Sequence, residues 1–338
     1  MTVATPGRVL VMGAGAVGCW IGGCLAAAGV PVTFVGRPRV LDALRQHGLT
    51  LTDLDGGTRT ASAGQLDLQP TPPAGSQAAL VLLCVKSGAT AAAAAELARA
   101  LPAGALVVSM QNGISNAALA QAHAPALTVC AGMVPFNVVE LGPGRYHRAT
   151  SGTLAAQDHP ALRVWQPLFE TAGVPLTLHV DLAPLQWGKL LLNLNNPVNA
   201  LSGLPLRVQL LDRDHRACMA ALIAEALTAL KAAGITPAKL TPLPPAALPS
   251  ALRLPTPIFR LLAFRMLRID ARARTSMAED LTQGRPTEID ALCGEVVRLA
   301  HAHGTAAPAN ERISELVRAW PRDARPRGGA ELRAALGV

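Results

Sequence analysis

The apolar positions of this chain fall into two patterns, and the switch between them divides it. Up to about residue 180, short unbroken apolar runs alternate with stretches of helical period. Residues 8–12, 30–35, 79–85 and 106–110 read as strands buried on both faces, and residues 16–28, 40–47 and 89–101 read as helices between them. Residues 127–133 and 142–157 look strand-like and are expected to extend or edge the same sheet, with a helix over 160–172 and a last strand over 174–180. Strand-helix alternation of this kind predicts a parallel sheet in an α/β, Rossmann-type N-terminal domain. From residue 182 the strand signal stops and helical period continues, which predicts an all-α C-terminal domain. The expected domains are 1–180 and 181–338.

The first strand runs directly into Gly13-Ala14-Gly15-Ala16-Val17-Gly18, a GxGxxG hexapeptide that opens a helix. In that context the pattern has a mechanism: Gly13 for the tight turn, Gly15 for backbone approach to a pyrophosphate, Gly18 for close helix–strand packing. The helix N-terminus then favours the negative charge of the ligand. The same motif disposes of a rival reading. Residues 9–30 form 22 positions without a formal charge, long enough for a bilayer span, but six of them are glycines, three of which stand at the motif's positions. The tip of the second strand carries Arg37 and Arg39 and no acid, so a 2′-phosphate is better served than a free ribose hydroxyl, and NADP is favoured over NAD. Lys86 and Asn112 follow two further strands, at the carboxyl ends where ligands of such sheets bind; Asn112-Gly113 is also a common turn dipeptide.

The helical half opens on residues 187–199, which place Lys189 at the head of a run with Asn193, Asn195, Asn196 and Asn199. Asn is a poor helix-interior residue, at roughly half a kcal/mol or more against Ala, so four in seven positions point to a polar, substrate-facing stripe. On a continuous helix Asn193 and Asn196 share the face of Lys189, whereas Asn195 and Asn199 do not. Residues 236–257 hold seven prolines in 22 positions and are expected to be a loop or short turns, a candidate lid or oligomer contact. A helix is expected over 270–281. After it, Thr287 and Asp290 have capping-box spacing, which sets Glu288 in the first turn of the last long helix, an ionised anchor rather than a proton donor.

Composition narrows the field. Half of the residues are hydrophobic and 15% charged, as in a folded chain with ample core; aromatics at 3% offer no stacking platform for single-stranded nucleic acid. The net charge of +8 comes from scattered arginines with no basic block, which argues against a nucleic-acid arm and leaves a small anionic ligand. Six cysteines without a CxxC pair, and histidines without ligand spacing, speak against a metal and for a reducing, cytoplasmic setting. There are 26 arginines to four lysines, yet two of the four are Lys86 and Lys189. A lysine's proton can be tuned to leave near neutral pH and an arginine's cannot, which supports Lys189 as an acid.

Taken together, the GxGxxG loop, Gln111-Asn112-Gly113, Lys189-Leu190-Leu191-Leu192-Asn193, Ser276-Met277 and Thr287-Glu288-Ile289-Asp290 resemble ketopantoate reductase (2-dehydropantoate 2-reductase) in order and spacing. The resemblance spans residues 9 to about 318. It implies that the glycine loop and Arg37 hold NADPH, that Lys86 lies near the adenosine end, and that Asn112 lies by the nicotinamide and substrate. It further implies Lys189 as general acid to the ketone oxygen, Asn193 as a substrate contact, Ser276 at the substrate carboxylate and Glu288 orienting the substrate hydroxyl and the lysine. The implied reaction is the reduction of ketopantoate to pantoate in the pantothenate (coenzyme A) pathway, with the site in an interdomain cleft. One departure stands out: the family's Asn eight residues after the lysine is Pro197 here, and Asn196 is the candidate substitute. The alternatives left open are a related NADP-dependent reductase of another 2-oxo or opine-type substrate, and a non-catalytic NADP-sensing regulator. The expected partners are a small 2-oxo acid, with neither nucleic acid nor membrane; oligomeric state stays open, a homodimer among the choices.

Overall fold

The computed structural model describes residues 7–264, 267 and 273–338. It divides into two compact units, Met1–Leu182 and Ala183–Val338. The strands of the first unit are β1 (Arg8–Met12), β2 (Val32–Val35), β3 (Leu49–Thr52), β4 (Thr58–Ala61), β5 (Asp67–Gln69) and β6 (Ala78–Leu83). They are followed by β7 (Leu106–Ser109), β8 (Thr128–Met133), β9 (Val138–Gly142), β10 (Arg145–Arg148), β11 (Leu154–Gln157) and β12 (Leu176–His179).

The large sheet has the order β12-β11-β8-β7-β6-β1-β2-β5. Six neighbours, β5 to β8 in that order, are all parallel, with Val9 paired to Val32 on one side and to Leu80 on the other. Counted in chain order, these six run 3-2-1-4-5-6, the doubly wound order that reverses direction beside β1. β11 is antiparallel to β8 and parallel to β12. The residues expected at the edge of this sheet are thus shared out. β9 and β10 leave it and join β3 and β4 in a separate four-stranded sheet, ordered β4-β3-β10-β9.

That second sheet explains the chargeless run near the start of the chain. The helix Ala16–Ala27 packs against the large sheet on one side and the small sheet on the other, and every residue from Gly18 to Ala26 is buried. A helix covered all round is apolar all round. Its glycines mark the close approaches: a Cβ on Gly22 would lie 2.7 Å from Val11 and Phe34, and one on Gly23 would lie 2.8 Å from Leu51. A two-pronged ion pair of Arg148 with buried Asp53, at 2.7 Å for each bond, fastens the small sheet beside this helix, with the guanidinium 5.3 Å above the Trp20 ring. No helix among the described residues is long and apolar enough to cross a membrane.

Among the described residues of the second unit, the regular elements are all helical. Its longest helix, Arg213–Ala232, packs against Leu248–Arg253, Ile289–Ala302 and Gly329–Leu336. The proline-rich stretch is more ordered than its composition suggests, with a 3₁₀ turn at Pro245–Ala247 and short helices at Leu248–Arg253 and Thr256–Leu262. Prolines remove N–H donors and leave carbonyls in excess, and Arg216, fully buried, supplies the missing donors. Its guanidinium donates to the carbonyls of Leu210, Leu252 and Leu254 and to the Thr256 hydroxyl, and lies 4.3 Å from the Phe259 ring centroid.

Three expectations for this unit are corrected. The helix carrying Lys189 does not run on to residue 199: it ends at Asn193, and a second begins at Asn195. Pro197 has no N–H for the Asn193 carbonyl, so the ladder breaks at Leu194. The helix expected over 270–281 is Ser276–Thr282, because the Thr275 hydroxyl accepts the Ala278 N–H and caps it there; residues 270–272 lie outside the described residues. Finally, Thr287 is not a helix cap. The last long helix is Ile289–Ala302 with Glu288 at its N-cap, and Asp290 is drawn off to Arg318.

Candidate active site

Each glycine of the hexapeptide occupies the position its assigned job requires. Gly13 takes φ +112°, and a Cβ there would lie 2.6 Å from the Val85 nitrogen, so the turn is wedged against the end of β6. A Cβ on Gly18 would sit 2.2 Å from the Gly13 carbonyl oxygen and 2.8 Å from Val11, so helix and strand touch backbone to side chain. Gly15 is the contrast: nothing lies within 4 Å of its missing side chain. As the N-cap of Ala16–Ala27 it brings no side-chain oxygen to the first-turn N–H groups, which lack intrahelical acceptors by geometry. Open space over unsatisfied donors at the positive end of a helix is a fit for a pyrophosphate, and this is the test a dinucleotide must pass. Ala14, Ala16 and Val17 complete the loop, with the Ala14 N–H given to the Val35 carbonyl at 2.8 Å.

Arg37 stands next to that loop. It is the exposed N-cap of Pro38–His47, and a Cβ on the preceding Gly36 would meet Ala14 at 2.7 Å. Arg39 is not its equal. Glu140, arriving from β9 in the small sheet, holds the Arg39 guanidinium through two bonds of 3.2 and 3.3 Å. Among the described residues no acid pairs with Arg37, which leaves it the free cation of the strand tip. Lys86 is exposed just beyond β6, and Asn112 is half-buried just beyond β7, its backbone carbonyl accepting the Asn116 amide at 2.5 Å.

In the helical unit the four asparagines separate into two pairs. Asn195 and Gln209 exchange amide hydrogen bonds of 3.1 and 3.2 Å in the core. Asn199, fully buried, donates to the Leu204 carbonyl and accepts from both the N–H and hydroxyl of Thr275. Asn193 and Asn196 are only half-buried, and among the described residues their side-chain amides have no hydrogen-bond partner. The two committed amides are structural; the two uncommitted ones flank the helix break below Lys189. Asn199 also does something the sequence does not announce. By clamping Thr275, which also reaches the Asn196 carbonyl at 3.4 Å, it sets the start of the helix whose first residue is Ser276. No local signal links positions 199 and 275, 76 residues apart.

Lys189 is half-buried as a residue, but the surroundings of its charge are dry. Burial pulls it from the ordinary 10.5 down to about 8, and the negative charge of Glu288 pushes the other way. Glu288 stands at the N-cap of Ile289–Ala302, where the helix dipole favours a carboxylate. The neighbour before Lys189 is equally constrained. A Cβ on Gly188 would lie 2.5 Å from the Ala238 carbonyl oxygen, and the Ala238 N–H donates to Pro184 at 2.8 Å, so the start of the proline-rich stretch crosses directly over the lysine-bearing helix.

Comparison with known proteins matches both units. Residues 9–161 match the family model described as ketopantoate reductase PanE/ApbA, and residues 181–320 match the one described as ketopantoate reductase PanE/ApbA C terminal. A 2-dehydropantoate 2-reductase of Halobacterium salinarum is 28% identical over 326 residues, covering 94% of this chain and 99% of that protein. The crystal structure of a PanE/ApbA family ketopantoate reductase from Ralstonia eutropha JMP134 is 31% identical, with a TM-score of 0.79 over 94% of this chain and 99% of that one. A D-mandelate dehydrogenase solved with NADH and anilino(oxo)acetate has a TM-score of 0.76 over 98% of this chain and all of that one, at 18% identity; that likeness is one of fold.

Proposed function

The chain belongs to the ketopantoate reductase family of oxidoreductases, and from that premise we propose that it reduces 2-dehydropantoate to pantoate with NADPH, in the pantothenate route to coenzyme A. Lys189 carries the reading: a lysine held near pH 8 by burial, with a carboxylate opposing that shift, suits a group that must donate a proton at neutral pH. When bound, NADPH supplies the hydride that adds to the carbonyl carbon. The chain's own residues do the rest. The Lys189 ammonium gives its proton to the carbonyl oxygen as negative charge builds there, and regains one from solvent after product leaves. Glu288 orients the substrate hydroxyl and keeps Lys189 protonated. The uncommitted amides of Asn193 and Asn196 bind the substrate, and the Ser276 hydroxyl takes its carboxylate.

The residues that fit the cofactor lie in the first unit. The N–H groups at Ala16 and Val17 hold the pyrophosphate, Gly15 leaves the space open for it, Gly13 and Gly18 shape the turn, and Ala14 lies against the strand tip. Arg37 takes the 2′-phosphate, Lys86 lies toward the adenosine end, and Asn112 lies toward the nicotinamide and the substrate. Six free thiols agree with a reducing cytoplasm as the setting.

One observation favours a second reading, a related 2-oxo acid in place of ketopantoate. Pro197 stands eight residues after Lys189, where the resemblance calls for an asparagine, and Asn196 belongs to the helix that begins after Leu194. The test is NADPH oxidation with ketopantoate beside a panel of other 2-oxo acids. The proposal expects ketopantoate to be the best substrate. Preference for another member would move the assignment within the reaction class, and turnover with none would sink the enzymatic reading.

A further inference from the structure

Behind Lys86 and Asn112 lies a set of polar side chains that the reaction itself does not call for. Thr90 is fully buried, and Ser109, Gln111 and Asn116 are nearly so, at 3%, 7% and 8% exposed. They form one connected network. The Ser109 hydroxyl donates to the Gln111 carboxamide oxygen at 2.8 Å. The Gln111 amide donates to the Val85 carbonyl at 2.9 Å and to the Thr90 hydroxyl at 2.7 Å. Thr90 passes its own proton to the Asn116 carboxamide oxygen at 3.0 Å. The Asn116 amide then donates to the Ser87 hydroxyl at 3.1 Å and to the Asn112 carbonyl at 2.5 Å.

The ends of this network are what give it meaning. It grips Val85 and Ser87, the residues on either side of Lys86, and the backbone of Asn112. These are the carboxyl ends of two neighbouring parallel strands, β6 and β7, where the doubly wound fold binds its ligand. Buried polar groups lower stability unless every one is satisfied, and an apolar side chain in place of Thr90 would hold the same space at less risk. A network complete enough to use both the donor and the acceptor of Thr90 serves to fix geometry.

We propose that Thr90, Gln111 and Asn116 are positioning residues that set Lys86 and Asn112 for the nicotinamide cofactor. The inference rests on the cofactor reading above. None of the three touches the cofactor; they act through the two loops they tie together.

The experiment compares Thr90→Val, which keeps the shape and removes the hydroxyl, with Thr90→Ser, which restores the hydroxyl. Ser109→Ala, at the far end of the network from the site, is a milder third variant should Thr90→Val fail to fold. NADPH affinity is read by fluorescence titration well below each variant's Tm, and kcat is read separately with 2-oxo acid substrate. Displacing a positioned group by a fraction of an ångström is expected to raise the NADPH Kd roughly tenfold in Thr90→Val. Thr90→Ser should return it to near wild type, and Ser109→Ala should raise it at least about twofold by the same argument. A lowered Tm with Kd and kcat unchanged would make the network merely structural and overturn the inference. So would a Thr90→Ser protein as impaired as Thr90→Val. A wild-type protein that binds NADPH but turns over no 2-oxo acid would remove the substrate assignment and leave the affinity comparison intact. A wild type that binds no nicotinamide nucleotide would overturn both.

Discussion

The carboxylate of Glu288 holds up the pKa of Lys189 against the drying that pulls it down, and the balance leaves the ammonium at about 8. The two residues are 99 positions apart in sequence, one in the first helix of the second unit and the other at the N-cap of a late one. Burial alone would make Lys189 a weaker cation; the charge of Glu288 works against that, as the proposed proton donor requires.

The pH dependence follows with a definite sign. With Lys189 as the proposed proton donor, the rate of reduction should fall as pH rises through about 8, while oxidation of the hydroxy acid should rise through the same pH. Glu288→Gln removes the charge that raises the lysine, so the falling limb should move to lower pH. A limb that stays in place or moves up would show that Glu288 does not act on Lys189. The same shift has a consequence for stability. The folded value lies below the unfolded 10.5, so the unfolded chain binds more protons between about pH 8 and 10.5, and stability from this site rises with pH across that window. Lys189→Met should therefore raise the Tm at pH 7, with the gain gone above the upper end of the window.

Gly188→Ala tests the crossing behind the lysine. The new Cβ would meet a backbone carbonyl at 2.5 Å, which no side-chain rotation relieves. Overpacking of this kind costs about 1–3 kcal/mol, and the displaced helix should lower kcat as well as Tm. Thermal melting and steady-state kinetics of the one variant check both.

Arg37 and Arg39 should separate cleanly. Arg37→Ala would remove the proposed charge-assisted contact to the 2′-phosphate and should weaken NADPH binding by roughly 10- to 100-fold, with NADH unaffected. Arg39 is already occupied by Glu140 in an exposed pair, and Arg39→Ala should change NADPH affinity by about threefold or less. Titration of both variants with both nucleotides decides it, and equal losses would contradict the division of labour.

Arg216→Met should destabilise the second unit without touching the cofactor. It strands three carbonyls and a hydroxyl in the core, at about 2–4 kcal/mol. Chemical denaturation reads the loss, and an unchanged midpoint would mean that water replaces the guanidinium.

Legibility in the sequence followed locality. Gly13, Gly15 and Gly18 act within one turn of chain, so their spacing announces their places in the turn. The strands β1, β2, β6 and β7 are similarly readable, because each is an unbroken apolar run. The helix break at Leu194 is equally local, since Pro197 offers no N–H to the Asn193 carbonyl, and only a continuous helix would carry the stripe of amides across it. What could not be read depends on partners far away. Arg39 looks as free as Arg37 until Glu140 arrives 101 residues later. Asn199 looks like its neighbours until Thr275 meets it, and Thr275 in turn moves a helix start from 270 to 276. Gly188 reads as a weak spot in a helix, roughly 1 kcal/mol worse than Ala, until Ala238 crosses over it.

The most direct test of the central claim is the rate of NADPH oxidation with ketopantoate at pH 7, wild type beside Lys189→Ala. Loss of a general acid is expected to lower kcat by about 10²–10⁴-fold, with NADPH affinity unchanged because the residues proposed to hold the cofactor lie in the other unit. A Lys189→Ala protein that turns over as fast as wild type would contradict the account.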